Sequence, residues 1–306
     1  MKRFLKLLLL TPMAFSISGC QKDTPKTDPE PKPDPTPVNV VIVSGQSNGV
    51  GCARTSYIKT SMGYSKYQQY LEGFPGIKIS YQCWDKDYTK PQPVFYKQNY
   101  SENDDFEQVM VGQGNYEGAF GPEIGIAETL NEKFDNKLFI IKCGCGSSNL
   151  KDDWVRNGTA MYRKFVEYVK DQMKKLEEMN YKPTIKAFCW MQGEGDSYDG
   201  YYEEYYANTK EFVSNLRTEF KDLAGNKDFP FIDAAISNEP KQWKYYQEVN
   251  EAKQRFAAES DNNFFIDTIA AGMHTDQEEP AYHYDTESMV LLGHLFAEAF
   301  EPFLDK

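Results

Sequence analysis

Residues 40–51 read VVIVSGQSNGVG. Four β-branched apolar residues stand in a row (Val40, Val41, Ile42, Val43), with no polar alternation. That is the pattern of a strand covered on both faces. The run stops at Gly45, and Ser47 follows two residues later. Serine after a strand is ordinarily a turn residue or a helix N-cap. It becomes a nucleophile only where a base takes its proton. What stands at the ends of the other strands decides between the two.

The apolar signature recurs downstream, in alternation with helical periodicity. KLFIIKCG (137–144), IKAFCWMQG (185–193), FPFIDAAIS (229–237) and NFFIDT (263–268) read as four further strands. Between and after them, residues 121–134, 161–179, 201–220, 245–260 and 287–304 carry apolar side chains at helical spacing. The first of these opens with Gly-Pro, a good helix start. Such alternation predicts an α/β three-layer sandwich, a central parallel sheet of about five strands with helices on both faces. Residues 56–118 are less regular and rich in Tyr, Gln and Asn, and are read as long loops over one end of the sheet.

Not all 306 residues belong to that domain. Residues 1–19 have a basic start (Lys2, Arg3, Lys6), an apolar run over 7–10 and then small residues, the layout of a secretory signal. The ending ISGC resembles the bacterial lipobox, which implies cleavage before Cys20 and lipidation of its thiol. Residues 20–37 are proline-rich and charged, with no apolar periodicity, so they read as an extended tether. The folded domain is expected from 38 to 306, the size of one large domain. The expected location is therefore the bacterial cell envelope, with the membrane met through a lipid anchor only.

The formal charge is −12 for the whole chain. Removing residues 1–19 takes away three cations and no anions, leaving 31 Lys and Arg against 46 Asp and Glu, a charge of −15. An acidic surface argues against nucleic acid as a partner. Beyond Cys20 the cysteines are Cys52, Cys83, Cys143, Cys145 and Cys189, without the paired spacing of a zinc site. They read as buried small hydrophobes, and neither metal nor cofactor is expected.

In open α/β sheets, ligands bind beyond the carboxyl ends of the strands. Ser47 follows the first strand, GCGSSNLKDDW (144–154) the second, QGEGD (192–196) the third and HTDQEEPAYHYD (274–285) the fifth. Only three histidines exist to serve as a base: His274, His283 and His294. His294 lies inside the last helical segment, which favours a structural role. His274 follows the fifth strand, and His283 stands just before the final helix.

These blocks resemble the SGNH-hydrolase superfamily. GQSN, WMQGEGD and HYDTESMVLLG, in that order, most resemble carbohydrate O-acetylesterases of the sialate O-acetylesterase and acetylxylan esterase type (carbohydrate esterase family 6), and FGPEIGIAETL matches a further helix start. The resemblance covers nearly the whole domain. It implies a serine esterase that removes O-acetyl groups from an oligo- or polysaccharide through an acetyl-Ser47 intermediate, with His283 as base. It implies an oxyanion site made by the N–H of Ser47, the N–H of Gly146 and the side chain of Gln192. Ser147 stands where a second glycine is usual, so this block can shift by one residue. Asn48 is expected to brace the turn and Glu194 to orient a neighbouring loop. An Asp usually lies three residues before the histidine; here that position is Pro280. Glu279 is the first candidate for the acid, with Glu278, Asp276 and Asp285 as alternatives, and a Ser–His dyad with a backbone carbonyl as another. Two other functions stay open: a surface glycan-binding protein that kept the fold and lost the chemistry, and a short-chain lipase-like esterase. Trp154 and Trp190 read as core.

Overall fold

The computed structural model describes residues 33–87, 89–90, 93–156, 160–239, 241–276 and 282–305. The signal segment, Cys20, most of the tether, Glu278 and Glu279 lie outside the described residues. A compact unit runs over Pro35–Lys306.

The five expected strands are present as β1 (Thr36–Gly45), β7 (Leu138–Cys145), β8 (Tyr181–Met191), β9 (Phe231–Ala234) and β10 (Asn263–Ile266). β1 starts two residues inside the stretch read as tether, because Thr36 and Pro37 pair with Tyr181 and Lys182. All neighbouring pairs among these five strands are parallel. The sheet order is β10-β9-β8-β1-β7-β3-β4, where β3 is Phe74–Asp87 and β4 is Val94–Tyr100; β5 (Glu107–Val109) also pairs with β3. The sheet is thus mixed and mostly parallel, with β3 parallel to β7 and the β4 and β5 pairings antiparallel.

Residues 56–118 are therefore not simply loops. They contain α2 (Thr55–Ser61), α3 (Tyr64–Glu72) and three strands of the main sheet. The polar residues that disguised β3 are buried and satisfied. Ser80 Oγ lies 2.6 Å from the Tyr168 hydroxyl, and Gln82 Nε2 donates to Asp104 Oδ1 at 2.7 Å. β2 (Ala53–Arg54) and β6 (Ala119–Phe120) form a separate two-stranded pair.

One face of the sheet is covered by α6 (Ala160–Glu178), α7 (Tyr205–Glu219) and α8 (Tyr246–Ala257). Their aromatic side chains interlock with the strands: Phe165 on Phe188 at 5.7 Å, Phe212 on Trp190 at 4.7 Å, Phe256 on Phe231 at 6.0 Å. Trp154 and Trp190 are fully buried in this layer, edge to face at 5.0 Å, as core residues. α4 (Glu123–Phe134) and α9 (Thr286–Phe300) pack on each other and on the other face. The five cysteines beyond Cys20 are free thiols and all buried.

β1 ends level with β8, since Gly45 pairs with Met191. Gly45 has φ +140°, and a Cβ there would run into the Met191 carbonyl oxygen. Only glycine allows this turn. It delivers Ser47 to the first position of α1 (Ser47–Val50), beyond the carboxyl end of the central strand.

Candidate active site

A cavity of about 480 Å³ opens beyond the carboxyl ends of the strands. It is lined by Gln46 and Ser47 after β1, Ser147 and Asn149 after β7, Gly195, Tyr198 and Tyr201 after β8, Trp243 after β9, and Tyr282 and His283 before α9. Ser47 and His283, which the sequence placed 236 positions apart, share this cavity. The other two histidines do not line it. His294 Nε2 lies 3.0 Å from Glu128 Oε2 on the α4–α9 face, and His274 is exposed, its N–H donating to Ser288 Oγ at 2.7 Å.

The floor under Ser47 is built from buried charge. Lys142 of β7 and Glu123 of α4 form a fully buried ion pair at 2.7 Å. Lys142 Nζ also donates to the carbonyls of Val50 (3.1 Å) and Gln113 (2.5 Å). Those bonds tie the last residue of α1 to the sheet. A buried ion pair of this kind fixes geometry at little net gain in stability.

The His283 segment is held from both sides. Thr275 and Tyr284 form an antiparallel bridge, and the Asp276 N–H donates to the His283 carbonyl at 2.7 Å. Asn48, the residue after the serine, spans the histidine. Its Oδ1 accepts from the Tyr284 N–H at 3.0 Å, and its Nδ2 donates to the Tyr282 carbonyl at 3.4 Å. The same Nδ2 donates to Glu194 Oε1 at 2.7 Å. Glu194 is fully buried, and burial raises its pKa while the Asn48 bond lowers it. Asn48 and Glu194 are thus joined to the His283 segment in one chain of bonds. The Tyr284 hydroxyl completes the anchor, donating to the Ala235 carbonyl (3.1 Å) and lying 3.0 Å from Thr268 Oγ1.

Burial lowers the pKa of His283 below its usual 6.5; Asp276 pulls it back up, and Arg54 lowers it further. Asp276 is thus the described carboxylate whose field reaches the imidazole. Asp285 is directed elsewhere, accepting from the Ser288 N–H at 2.8 Å as the N-cap of α9. Glu279, the first candidate from the sequence, lies outside the described residues.

Two expected oxyanion donors are placed differently. The Gly146 N–H donates to the Trp84 carbonyl at 2.8 Å, because the β3–β7 pairing continues one residue past β7. The residue of that turn on the cavity is Ser147, at φ +56°, a left-handed conformation that favours glycine. Gln192 is fully buried rather than in the lining. Its Nε2 donates to Asp196 Oδ2 at 2.6 Å, and to Gln46 Oε1 and the Ser148 carbonyl at 3.3 Å each. It frames the wall behind the cavity.

Gln46, which sequence reasoning passed over, does face the cavity. Its Oε1 accepts from the backbone N–H groups of Gly195 (3.0 Å) and Gly193 (3.3 Å). A backbone N–H only donates, so the atom facing these two is the oxygen, and the side-chain nitrogen is the other end of the group. Asp196 was also passed over. It accepts from the N–H groups of Leu150 (2.7 Å) and Lys151 (3.3 Å), joining the β8 loop to α5 (Leu150–Asp153). Its burial pushes its pKa up to about 7. The position of both residues, inside GQSN and QGEGD, was the available signal. Among the described residues no group of three or more His, Cys, Asp or Glu side chains could hold a metal ion.

The family described as carbohydrate esterase, sialic acid-specific acetylesterase matches residues 37–301. The chain belongs to this family. It is accordingly a carbohydrate O-acetylesterase, a carboxylic ester hydrolase whose substrate class is acetylated carbohydrate. A solved protein of Arabidopsis thaliana is similar over 88% of this chain and 98% of its own, at 19% identity and a TM-score of 0.61. NanS covers the same shares at 15% identity and a TM-score of 0.60. A carbohydrate acetylesterase from Xanthomonas citri is similar over 86% of this chain and 56% of its own, at 15% identity and a TM-score of 0.52. At these identities the three structures support the fold. No protein of curated function matches the chain.

Proposed function

We propose that the chain removes acetyl groups by a two-step transfer through Ser47. His283 takes the proton of Ser47 Oγ, and the oxygen attacks the acetyl carbonyl carbon. The tetrahedral intermediate collapses, the sugar oxygen leaves with the proton from His283, and acetyl-Ser47 remains. Water, deprotonated by His283, attacks that ester, and acetate departs as Ser47 recovers its proton. Asp276 is the carboxylate assigned to steady the imidazole and the imidazolium that forms. The single observation that carries this reading is that Ser47 and His283, from the two ends of the domain, line the same cavity.

The developing oxyanion needs donors already in place. The first amides of a helix have no intrahelical acceptor, and Ser47 N–H is the first of α1. Gln46 Nε2 supplies a side-chain donor in place of Gln192, and the Ser147 amide takes the part first given to Gly146. The neutral imidazole that acts as base is favoured by the burial of His283.

The sequence of residues 1–37, read as a lipoprotein signal ending before a lipidated Cys20 and a proline-rich tether, supports a cell-envelope location, with the esterase held near the membrane. Ser47→Ala should abolish release of p-nitrophenol from p-nitrophenyl acetate while the circular dichroism spectrum stays that of the wild type. Full activity in that variant overturns the mechanism.

A further inference from the structure

Much of the lining of the cavity is aromatic. Tyr198 and Tyr201 come from the loop after β8, Trp243 from the loop after β9, and Tyr282 from the position before His283. Three separate segments thus bring aromatic rings to one cavity. Tyr198 is 48% exposed and Tyr282 39%, high values for rings on a folded domain. Trp243 packs beside Tyr282 with ring centres 5.6 Å apart.

The wall is held in place rather than left to solvent. The Tyr201 hydroxyl donates to Asp152 Oδ2 at 3.1 Å, and Lys151 Nζ sits 5.3 Å over its ring while donating to the Gly200 carbonyl at 2.8 Å. The Tyr245 N–H donates to Ser197 Oγ at 2.8 Å, and the Tyr245 ring stacks on Tyr202 at 4.0 Å. These contacts join the loops after β8 and β9 just behind Tyr198 and Trp243.

The remaining lining is neutral and polar: Gln46, Ser47, Ser147, Asn149 and His283, with the Gly195 backbone. The nearby cations are paired: Lys151 with Glu204 at 3.0 Å, Lys244 with Asp199 at 3.2 Å. Arg54, close enough to lower the pKa of His283, donates to the Tyr57 hydroxyl at 3.0 Å and is outside the lining.

We propose that Tyr198, Tyr201, Trp243 and Tyr282 form a stacking wall for the ring of a neutral O-acetylated pyranose, and that the enzyme takes uncharged acetyl sugars in preference to anionic ones. This rests on the serine-esterase reading of the same cavity. The physical reason is charge and shape together. Aromatic faces carry negative charge density and attract the C–H face of a pyranose. A sugar carboxylate in this cavity would lose its water against ring faces, near Asp276, with no cation among the lining residues to pair with. Hydroxyls instead meet Asn149, Ser147 and the tyrosine oxygens as hydrogen-bond partners.

The test measures kcat/KM on three acetyl esters: methyl β-xylopyranoside carrying one O-acetyl group, O-acetylated N-acetylneuraminic acid, and p-nitrophenyl acetate. The wild type should favour the neutral sugar over the sialic acid by about ten-fold or more, the size of one unpaired charge or one good contact. Trp243→Ala and Tyr198→Ala should each lower the ratio of the xyloside value to the p-nitrophenyl acetate value by about two- to ten-fold, mainly through KM. Tyr198 is half exposed, so its variant keeps the test alive if the Trp243 variant fails to fold. An active wild type that prefers the sialic acid, or an unchanged ratio in both variants, overturns the proposal and leaves the serine mechanism standing. If hydrolysis does not pass through Ser47 at all, the mechanism fails separately. Calorimetric binding of the two acetyl sugars to Ser47→Ala then still decides the preference.

Discussion

Asn48→Ala removes the side chain that spans His283, and its cost can be worked from three bonds. The Tyr284 N–H, which donates to Asn48 Oδ1 at 3.0 Å, is buried and would be left unpaired. A lost partner for a buried neutral donor costs about 1–3 kcal/mol. Glu194 Oε1 would lose its 2.7 Å donor inside a fully buried site. A bond to a charged group is worth about 1.5–3 kcal/mol. The long contact to the Tyr282 carbonyl, at 3.4 Å, adds little. Together the variant should lose about 3–5 kcal/mol, read as a lower urea midpoint at unchanged slope.

The loss should depend on pH in a stated direction. Asn48 lowers the pKa of Glu194 against burial, so its removal raises that pKa further. Glu194 escapes the penalty by keeping a proton at low pH and pays it when ionised. The destabilisation is therefore larger at about pH 8 than at about pH 5. The His283 segment, no longer clamped, should cost about 10²-fold in kcat on p-nitrophenyl acetate, the price of a misplacement near 1 Å. A double-mutant cycle with Glu194→Gln, which retains an acceptor, should show coupling of about 1–3 kcal/mol. Stability within about 0.5 kcal/mol of wild type, with unchanged kcat, refutes the clamp.

Three further outcomes follow from the same site. The kcat/KM profile should rise with pH as the His283 imidazolium loses its proton, with a midpoint below 6.5 because burial lowers that pKa; a midpoint above 6.5 contradicts the placement. Asp276→Asn removes the influence that raises the His283 pKa, so the midpoint should move further toward acid, and kcat should fall by about 10²-fold or more. Gln46→Glu keeps an acceptor for Gly193 and Gly195 but replaces the donor with a carboxylate, so kcat should fall by about 10²–10³-fold; an unchanged kcat returns the side-chain donor to Gln192.

The sequence carried the layers of the fold because buried parallel strands are written as unbroken apolar runs. Residues 138–141, LFII, and 40–43, VVIV, need no alternation to be read. β3 escaped because Ser80 and Gln82 interrupt it, and their partners Tyr168 and Asp104 lie far along the chain. Polar residues in a buried strand look like loop until the bonds that satisfy them are known. The same reason governs the site. Ser47 and His283 were legible from their blocks. Which of Gln46 and Gln192 lines the cavity was not, since both are glutamines at strand ends. The choice between them depends on two backbone amides in the next loop. The Gly146 amide was likewise readable only from the register of β3 against β7, which takes it for the Trp84 carbonyl. The aromatic wall had no periodicity at all: its residues lie in three irregular segments that only the fold assembles.

The central claim is a covalent acetyl-serine. Rapid acid quench of the enzyme during turnover of p-nitrophenyl acetate, followed by peptide mass spectrometry, tests it directly. The account predicts one acetyl group on the peptide that contains Ser47, absent in Ser47→Ala and much reduced in His283→Ala. Steady hydrolysis with no acetyl group on that peptide, or with Ser47→Ala still turning over, contradicts it.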